Sequence, residues 1–490
     1  MIKYNRKELR DKIYACWLGK NIGGTIGTPF EGQRQINDVK GFNSPKGNPL
    51  PNDDLDLQLV WLRAMDEQGP DAVDNKVLGQ YWMEYVGPHW NEYGVCKSNM
   101  RSGFLPPISG SFQNERWMDS NGAWIRTEIW ACTHPATIEK AIKLAFADAS
   151  VDHGFGEGSY GAIFVAAMES AAFMISDLDT LIKIGLSKIP ENCQVARYIR
   201  LVCDCYKRGV DWKDARNAIV HENEVTGLGW FQAPGNIAFA VLGLLYGEGD
   251  FKKSILLAVD CGDDTDCTGA TVGALMGIMY GPSIIPEDWA EYIGESIVTV
   301  AIIRGTGYFP GSCEELTDAV MHLIPACTRT ALPELASKGP WFEITDGETS
   351  FGELNAESFM GDEFVKRTFS RSPWSVEFKN VLFTVVAGFD REPVIAPNDE
   401  IKVKLSVRMI PECSQQNHFY VRWILPEGFR ADGPSNLYAP EPHCIEPVPR
   451  DSIEVTITAG DYVEPQNAVI CEISAPDQIL PTYIPLTILG

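Results

Sequence analysis

Residues 260–277 read DCGDDTDCTGATVGALMG, and behind the aspartates glycine recurs at every fourth position: Gly269, Gly273, Gly277 and then Gly281. Near the start of the chain, GKNIGGTIGTPFEG repeats the spacing with Gly19, Gly23 and Gly27. Each glycine inside a helix costs roughly 0.5–1 kcal/mol relative to alanine. Glycines at i, i+4 and i+8, however, form one bare stripe down a helix. Two bare stripes let helix backbones approach more closely than the usual ~8–10 Å, and the packing gained can offset the lost propensity. Regular spacing in two segments argues against glycines that merely end frayed helices. The pattern predicts two helices that cross tightly and bring acids to one end. Thr28 and Pro29 should stop the first, leaving Glu31 just past it.

The rest of the chain divides by period. LRDKIYACWLGKNIGG, DLQLVWLRAMDE, SYGAIFVAAMESAAFMI and NIAFAVLGLLYG carry apolar or small residues at helical spacing, several of them almost all round. That is expected of central helices in a large all-α domain. Beyond about residue 340 the period becomes two: Ile401, Val403, Leu405, Val407 and Met409, then Ile453, Val455 and Ile457, then Ile484, Leu486 and Ile488. Such runs between Pro, Gly and Asp turns mean half-buried antiparallel strands. The expected architecture is an all-α domain over residues 1–340, a connector at 341–372, and a small all-β, immunoglobulin-like sandwich at 373–490.

Composition narrows the function. Among 490 residues, 66 acids against 41 bases give a formal net charge of -25, which argues against binding a bare nucleic-acid backbone. Acids instead supply oxygen ligands for hard cations. The opening MIKYNRKELRDKIYACWLGK lacks an apolar h-region, so no signal peptide is expected. The 13 cysteines are odd in number and show no CxxC unit, reading as reduced thiols in a cytoplasmic protein. The run from Thr268 to Ile285 is short, broken by Pro282 and preceded by four acids, so a buried helix is expected rather than a membrane span.

Two acidic clusters stand out. In PNDDLDLQLVWL, Asn52 is an N-cap candidate with Asp53 and Asp54 in the first turn. Acids there also suit the helix dipole, so this motif alone reads equally well as a cap. Asp264 and Asp266 lie two apart, and in an extended turn ahead of the helix both can point the same way. Beside Asp53 and Asp54 they would repel strongly, and a pair of Mg²⁺ or Mn²⁺ ions would relieve that. Chance clustering among so many acids is the competing account.

With these residues in view, the chain resembles the ADP-ribosylglycohydrolase (dinitrogenase-reductase-activating glycohydrolase) family over roughly residues 7–330. GTPFE is similar to the family's glycine-rich segment ending in glutamate, and NDD stands where Thr-Asp-Asp is usual. SNGAWIR (residues 120–126) is similar to Gly-Asn-Gly-x-x-Met-Arg, and DTDC to Asp-x-Asp-Thr before a small-residue helix. LPPISGSF and DASVDHGFGEGSYGAIFVAAM resemble a divergent bacterial branch. The resemblance implies an all-α fold whose dinuclear Mg²⁺ or Mn²⁺ centre cleaves an ADP-ribosyl glycosidic bond. It implies metal ligands at Asn52, Asp53, Asp54, Asp264, Asp266 and the Cys267 position. Catalysis would fall to Glu31, Asp54 and Asp264, with Glu31 as a metal ligand or a metal-linked acid/base. Asn121 and Gly122 would line the ribose or diphosphate pocket, and His153 would lie near the nucleotide. The implied partner is an ADP-ribosylated protein or a small-molecule glycoside.

This chain departs from the pattern at Asn52 for Thr and at Cys267 for Thr, and a soft thiol is a poor Mg²⁺ ligand. SNGAWIR also carries Ser for Gly and Ile for Met. Plainer readings exist: SNGAWIR as a turn and helix start, and His153 as a loop histidine satisfied by backbone. Glu157 and Glu169 read as structural or solvated, and Trp117, Trp124 and Trp130 as core. Two rival functions follow: a glycosidase acting on another riboside or sugar conjugate, and a non-catalytic ADP-ribose binder.

Overall fold

The computed structural model describes residues 2–227, 229–303, 307–329, 342–347, 356–380, 383–409, 417–439, 452–476 and 480–490. The two glycine ladders meet face to face, in helices Arg6–Gly27 and Thr265–Tyr280. A Cβ on Gly19 would fall within 3.0 Å of Gly273 O, one on Gly23 within 3.0 Å of Gly269 O, and one on Gly277 within 3.0 Å of Ala15 O. Real Cβ atoms do not come that close. The order of these contacts makes the helices antiparallel, so the end of the first lies beside the start of the second. Thr28–Phe30 forms a 3-10 turn after the first helix, with Glu31 immediately beyond it.

Other helices enclose this pair. Asp53–Gln68, Glu157–Ala172 and Ala233–Gly247 are buried along nearly their whole length, as their apolar or small residues require. No helix among the described residues is long and apolar enough to cross a membrane. Among those residues the cysteines are free thiols.

The described strands form three sheets. β1 (Ile2–Asn5) pairs in parallel with β2 (Phe342–Thr345). Then come β3 (Ser375–Lys379), β4 (Phe383–Phe389), β5 (Glu400–Met409), β6 (Asn417–Ile424), β7 (Arg430–Asp432), β8 (Asn436–Ala439), β9 (Ser452–Thr458), β10 (Gln466–Ser474) and β11 (Thr482–Leu489). They order as β3-β4-β5-β9-β7 and β11-β10-β6-β8, both antiparallel. The period-two residues Ile401, Val403, Leu405, Val407 and Met409 are buried, while Glu400, Lys402, Lys404 and Arg408 between them are exposed. Val385 and Leu405 of one sheet share a core with Phe419, Val469 and Ile484 of the other.

Phe104, Ile108 and Phe112 from the helical part enter that same core. Thr487 Oγ1 also donates to Gly103 O at 2.8 Å. The expected boundary at residue 340 lies outside the described residues, as do 341 and 348–355 of the expected connector. The rest of that connector is not featureless: it holds β2 and the helix Glu363–Phe369.

Candidate metal centre

Three chain segments deliver acids to one place. Asn52 caps the Asp53–Gln68 helix, its Oδ1 accepting from Asp54 N at 2.8 Å, which puts Asp53 and Asp54 in the first turn. Asp264 is the N-cap of Thr265–Tyr280, and Asp266 lies in that helix's first turn. This corrects the expectation of one extended turn holding both. Only Asp264 precedes the helix, and its φ of -95° and ψ of 81° depart from helical values. Just before it the chain turns sharply through two left-handed residues, Gly262 (φ 80°) and Asp263 (φ 71°). Asp263 is held there by Phe231 N, at 3.0 Å from Oδ2, and by Asn236 Nδ2 at 2.8 Å. Gly32 N donates to Asp263 O at 2.8 Å and Asp263 N to Gln33 O at 2.9 Å. That reciprocal pair laces the segment after Glu31 to the aspartate turn.

The result is two overlapping donor groups. Carboxylate oxygens of Glu31, Asp264 and Asp266 lie within 4.8 Å of one another, and so do ligand atoms of Asp54, Asp266 and Cys267. Asp266 belongs to both. Cys267 Sγ donates to Asp54 Oδ1 at 3.4 Å, and Tyr93 OH donates to Asp53 Oδ2 at 3.0 Å. Asp54 Oδ2, Asp264 Oδ1 and Asp266 Oδ1 are buried with no hydrogen-bond partner. A surface groove lined by Asn5, Lys12, Tyr280 and Ser283 lies at the opposite end of the glycine helix pair, away from these acids.

Asn121, Gly122 and His153 stand behind the acids. Asn121 Nδ2 donates to Asp264 Oδ2 at 2.7 Å, and its Oδ1 accepts from Trp124 Nε1 at 3.0 Å, so both ends of the amide are engaged. Gly122 leaves no room for a Cβ beside Glu92 and His153, and its carbonyl accepts from Arg126 Nη1. His153 is fully buried, with Nε2 at 3.0 Å from Ser120 Oγ and Nδ1 at 2.9 Å from Asp152 Oδ1. Nε2 is thus within hydrogen-bond distance of a side chain, whereas Nδ1 lies at ion-pair distance from Asp152 without hydrogen-bond geometry.

Arg126, present in SNGAWIR but not singled out by sequence reasoning, donates to Asp148 at 3.0 Å and to Asp152 at 2.8 Å. Its place four residues after Gly122 was the available signal. Tyr93, Asn236 and Asp263 were also missed, and only Asp263 had a local signal, as part of DCGDDTDC. Glu157 accepts from Gln194 N and Val195 N, and Glu169 from Thr127 Oγ1, both structural uses. Trp124 and Trp130 are buried in the core and Trp117 is half-buried.

Comparison with known proteins gives this arrangement a context. Residues 5–327 match the ADP-ribosylglycohydrolase family. The chain belongs to that family. It is 38% identical over 300 residues to ADP-ribosylarginine hydrolase Tri1 of Serratia proteamaculans (strain 568), covering 58% of this chain and 75% of that protein. Over 57 residues it is 39% identical to the protein of the same name from Pseudomonas putida (strain GB-1), spanning 12% of this chain and 15% of that one. A solved structure titled ADP-ribosylglycohydrolase-related protein complex shares 21% identity, covering 66% of this chain and 99% of its own, with a TM-score of 0.43.

In this ADP-ribosylglycohydrolase the acids carry their repulsion visibly. Glu31, exposed at the rim, is pushed up to about 8 by the charge of Asp266, then by partial burial, Asp53 and Asp263. Burial and then Asp266 raise Asp53 to about 6. Burial first, with neighbouring carboxylates, drives Asp54 and Asp264 well above the usual range. The buried Lys20 lowers Asp54 somewhat, but it is paired with Glu128 at 2.7 Å. Orphaned buried oxygens on several carboxylates fit divalent cations, whose charge would remove the conflict. Asn52 Oδ1 is already engaged as the helix cap.

Proposed function

We propose that the chain hydrolyses the glycosidic bond joining ADP-ribose to its acceptor, using two divalent cations, Mg²⁺ or Mn²⁺. The carrying observation is the convergence of Asp54, Asp264 and Asp266 with a free buried oxygen on each. Glu31, Asp53 and the Cys267 position complete the proposed ligand set. When bound, the cations would supply charge to grip ribose hydroxyls and to lower the pKa of a water. Glycosidic cleavage passes through an oxocarbenium-like state, whose developing positive charge the acids of this cluster would stabilise. With the cations' charge offsetting that of Asp266 and so bringing its raised pKa down, Glu31, at the exposed rim, would take the attacking water's proton as general base. Asn121 acts on Asp264 from behind, fixing the carboxylate's orientation.

The names of the relatives support arginine-linked ADP-ribose as the first substrate to test, on a protein or a small molecule. The free thiols support a cytoplasmic site of action. Two antiparallel sheets over one core support an immunoglobulin-like sandwich at 373–490.

The test is a product-release assay over defined ADP-ribosyl linkages and simple ribosides, with Mg²⁺, Mn²⁺ or chelator. Cation-dependent release of ADP-ribose is expected. Release of another sugar would transfer the assignment to a riboside hydrolase. Binding of ADP-ribose by calorimetry with no product from any substrate would make the chain a binder instead.

A further inference from the structure

The two donor groups differ in chemistry. Glu31, Asp264 and Asp266 offer oxygen alone, whereas Asp54, Asp266 and Cys267 offer oxygen and sulfur. Resting on the cation-dependent reading above, we propose that Cys267 makes the second position a mixed thiolate–carboxylate site that selects a thiophilic first-row divalent cation over Mg²⁺. The first position remains a hard, all-oxygen site, and Asp266 is shared between them.

Three observations carry this beyond the presence of a cysteine. Asp54 is 0% exposed, Asp266 6% and Cys267 5%, so all three side chains are committed to the interior. Asp54 Oδ2 and Asp266 Oδ1 are buried without partners in the same cluster, so two oxygens are free to join the sulfur on one ion. The neighbouring hydroxyls behave differently: Thr265 Oγ1 turns to Gly27 O at 2.8 Å and Thr268 Oγ1 to Thr265 O at 3.2 Å. Cys267 Sγ instead faces the carboxylate of Asp54. A thiol is a weak hydrogen-bond donor, so a role confined to satisfying Asp54 would be better filled by a hydroxyl. Thiolate ligands favour zinc and other late first-row ions, while Mg²⁺ prefers oxygen. On binding, the S–H bond breaks and a metal–sulfur bond forms. The proton passes to water and no electron is transferred.

The experiment titrates the chelator-treated, reduced full-length protein with Co²⁺ and reads the near-ultraviolet spectrum. A sulfur-to-cobalt charge-transfer band saturating at about one equivalent is expected, absent from Cys267→Ser although that variant still binds Co²⁺ at the all-oxygen position. Competition calorimetry should show the Zn²⁺ over Mg²⁺ preference falling on the order of 10- to 100-fold in Cys267→Ser. Cys267→Thr, with a matching thermal melt, should fall equally and guards against a misfolded serine variant. Co²⁺ binding with no such band, and an unchanged preference in both variants, overturns this inference and leaves the proposed function standing. Failure of the wild-type protein to bind any divalent cation overturns the cation reading beneath it.

Discussion

Two clusters of charge lie side by side in the helical part of this glycohydrolase, and they are built on opposite terms. Around Arg126, the fully buried guanidinium meets Asp148 and Asp152, and Asp152 also faces His153. Each acid there has a cation of the chain's own. Around Asp266, five carboxylates (Glu31, Asp53, Asp54, Asp264 and Asp266) gather, and the buried cations that act on them, Lys20 on Asp54 and Arg126 on Asp53, are already paired with other acids. A self-neutralised cluster stabilises only the fold. An unneutralised one is destabilising until something else arrives, and evolution has little reason to bury it otherwise.

Substitution should separate the two clusters sharply. Arg126→Met leaves Asp148 buried without a cation and Asp152 with His153 alone, a loss of about 3–5 kcal/mol for breaking a buried pair. Thermal or denaturant unfolding should show it. Asp264→Ala or Asp266→Ala should instead leave the cation-free melting temperature unchanged or higher, because each removes repulsion. Cation-dependent turnover should fall more than about 100-fold, the upper end for losing an outer-shell partner. If Asp266→Ala destabilises as Arg126→Met does, the contrast collapses and the acids are structural.

Asn121, a neutral partner of the acidic cluster, sharpens the comparison at smaller amplitude. Its amide holds Asp264 from one side and Trp124 from the other. Asn121→Ala should reduce cation affinity and turnover on the order of 10- to 100-fold, as for other outer-shell partners. Cation titration by calorimetry would register this with Asp264 still in place. Undiminished affinity would show that Asp264 needs no such support.

What was legible in the sequence was local. The glycine ladders announced their own packing because four-residue spacing survives as a stripe on any helix. The alternating strands from Ile401 to Ile488 did the same for the sheets. The NDD cap could be read because capping is decided within three residues. What escaped reading depended on distant partners. That Asn121 grips Asp264, 143 positions away, is set by tertiary packing, and no local pattern encodes it. The pairing of four-residue β1 with β2 joins segments about 340 positions apart and too short to carry a period. Asp266 lies inside the first turn of its helix rather than ahead of it, although carboxylates two apart on a helix diverge and the local pattern therefore suggests an extended turn. The non-helical backbone of Asp264 alone was sufficient.

The smallest effect concerns how the neutralised cluster stays neutral. Burial lowers the pKa of His153, but the charge of Asp152 outweighs it, Glu92 adds to the rise, Arg126 opposes it, and the net direction is upward from 6.5. Asp119 also lies within electrostatic reach. The folded protein therefore holds the His153 proton more tightly than the unfolded chain does. Its stabilisation is fully present below the unfolded value of 6.5 and is lost as pH rises through the folded value. Asp152 behaves oppositely: despite burial, Arg126 and His153 hold it below the usual carboxylate range, so its contribution is lost only in acid. At saturating cation, the melting-temperature gap between wild type and His153→Gln should thus be widest near about pH 6 and narrow toward about pH 9. A gap constant across that range would mean that the folded protein keeps His153 neutral, and that Arg126 alone balances the acids around it.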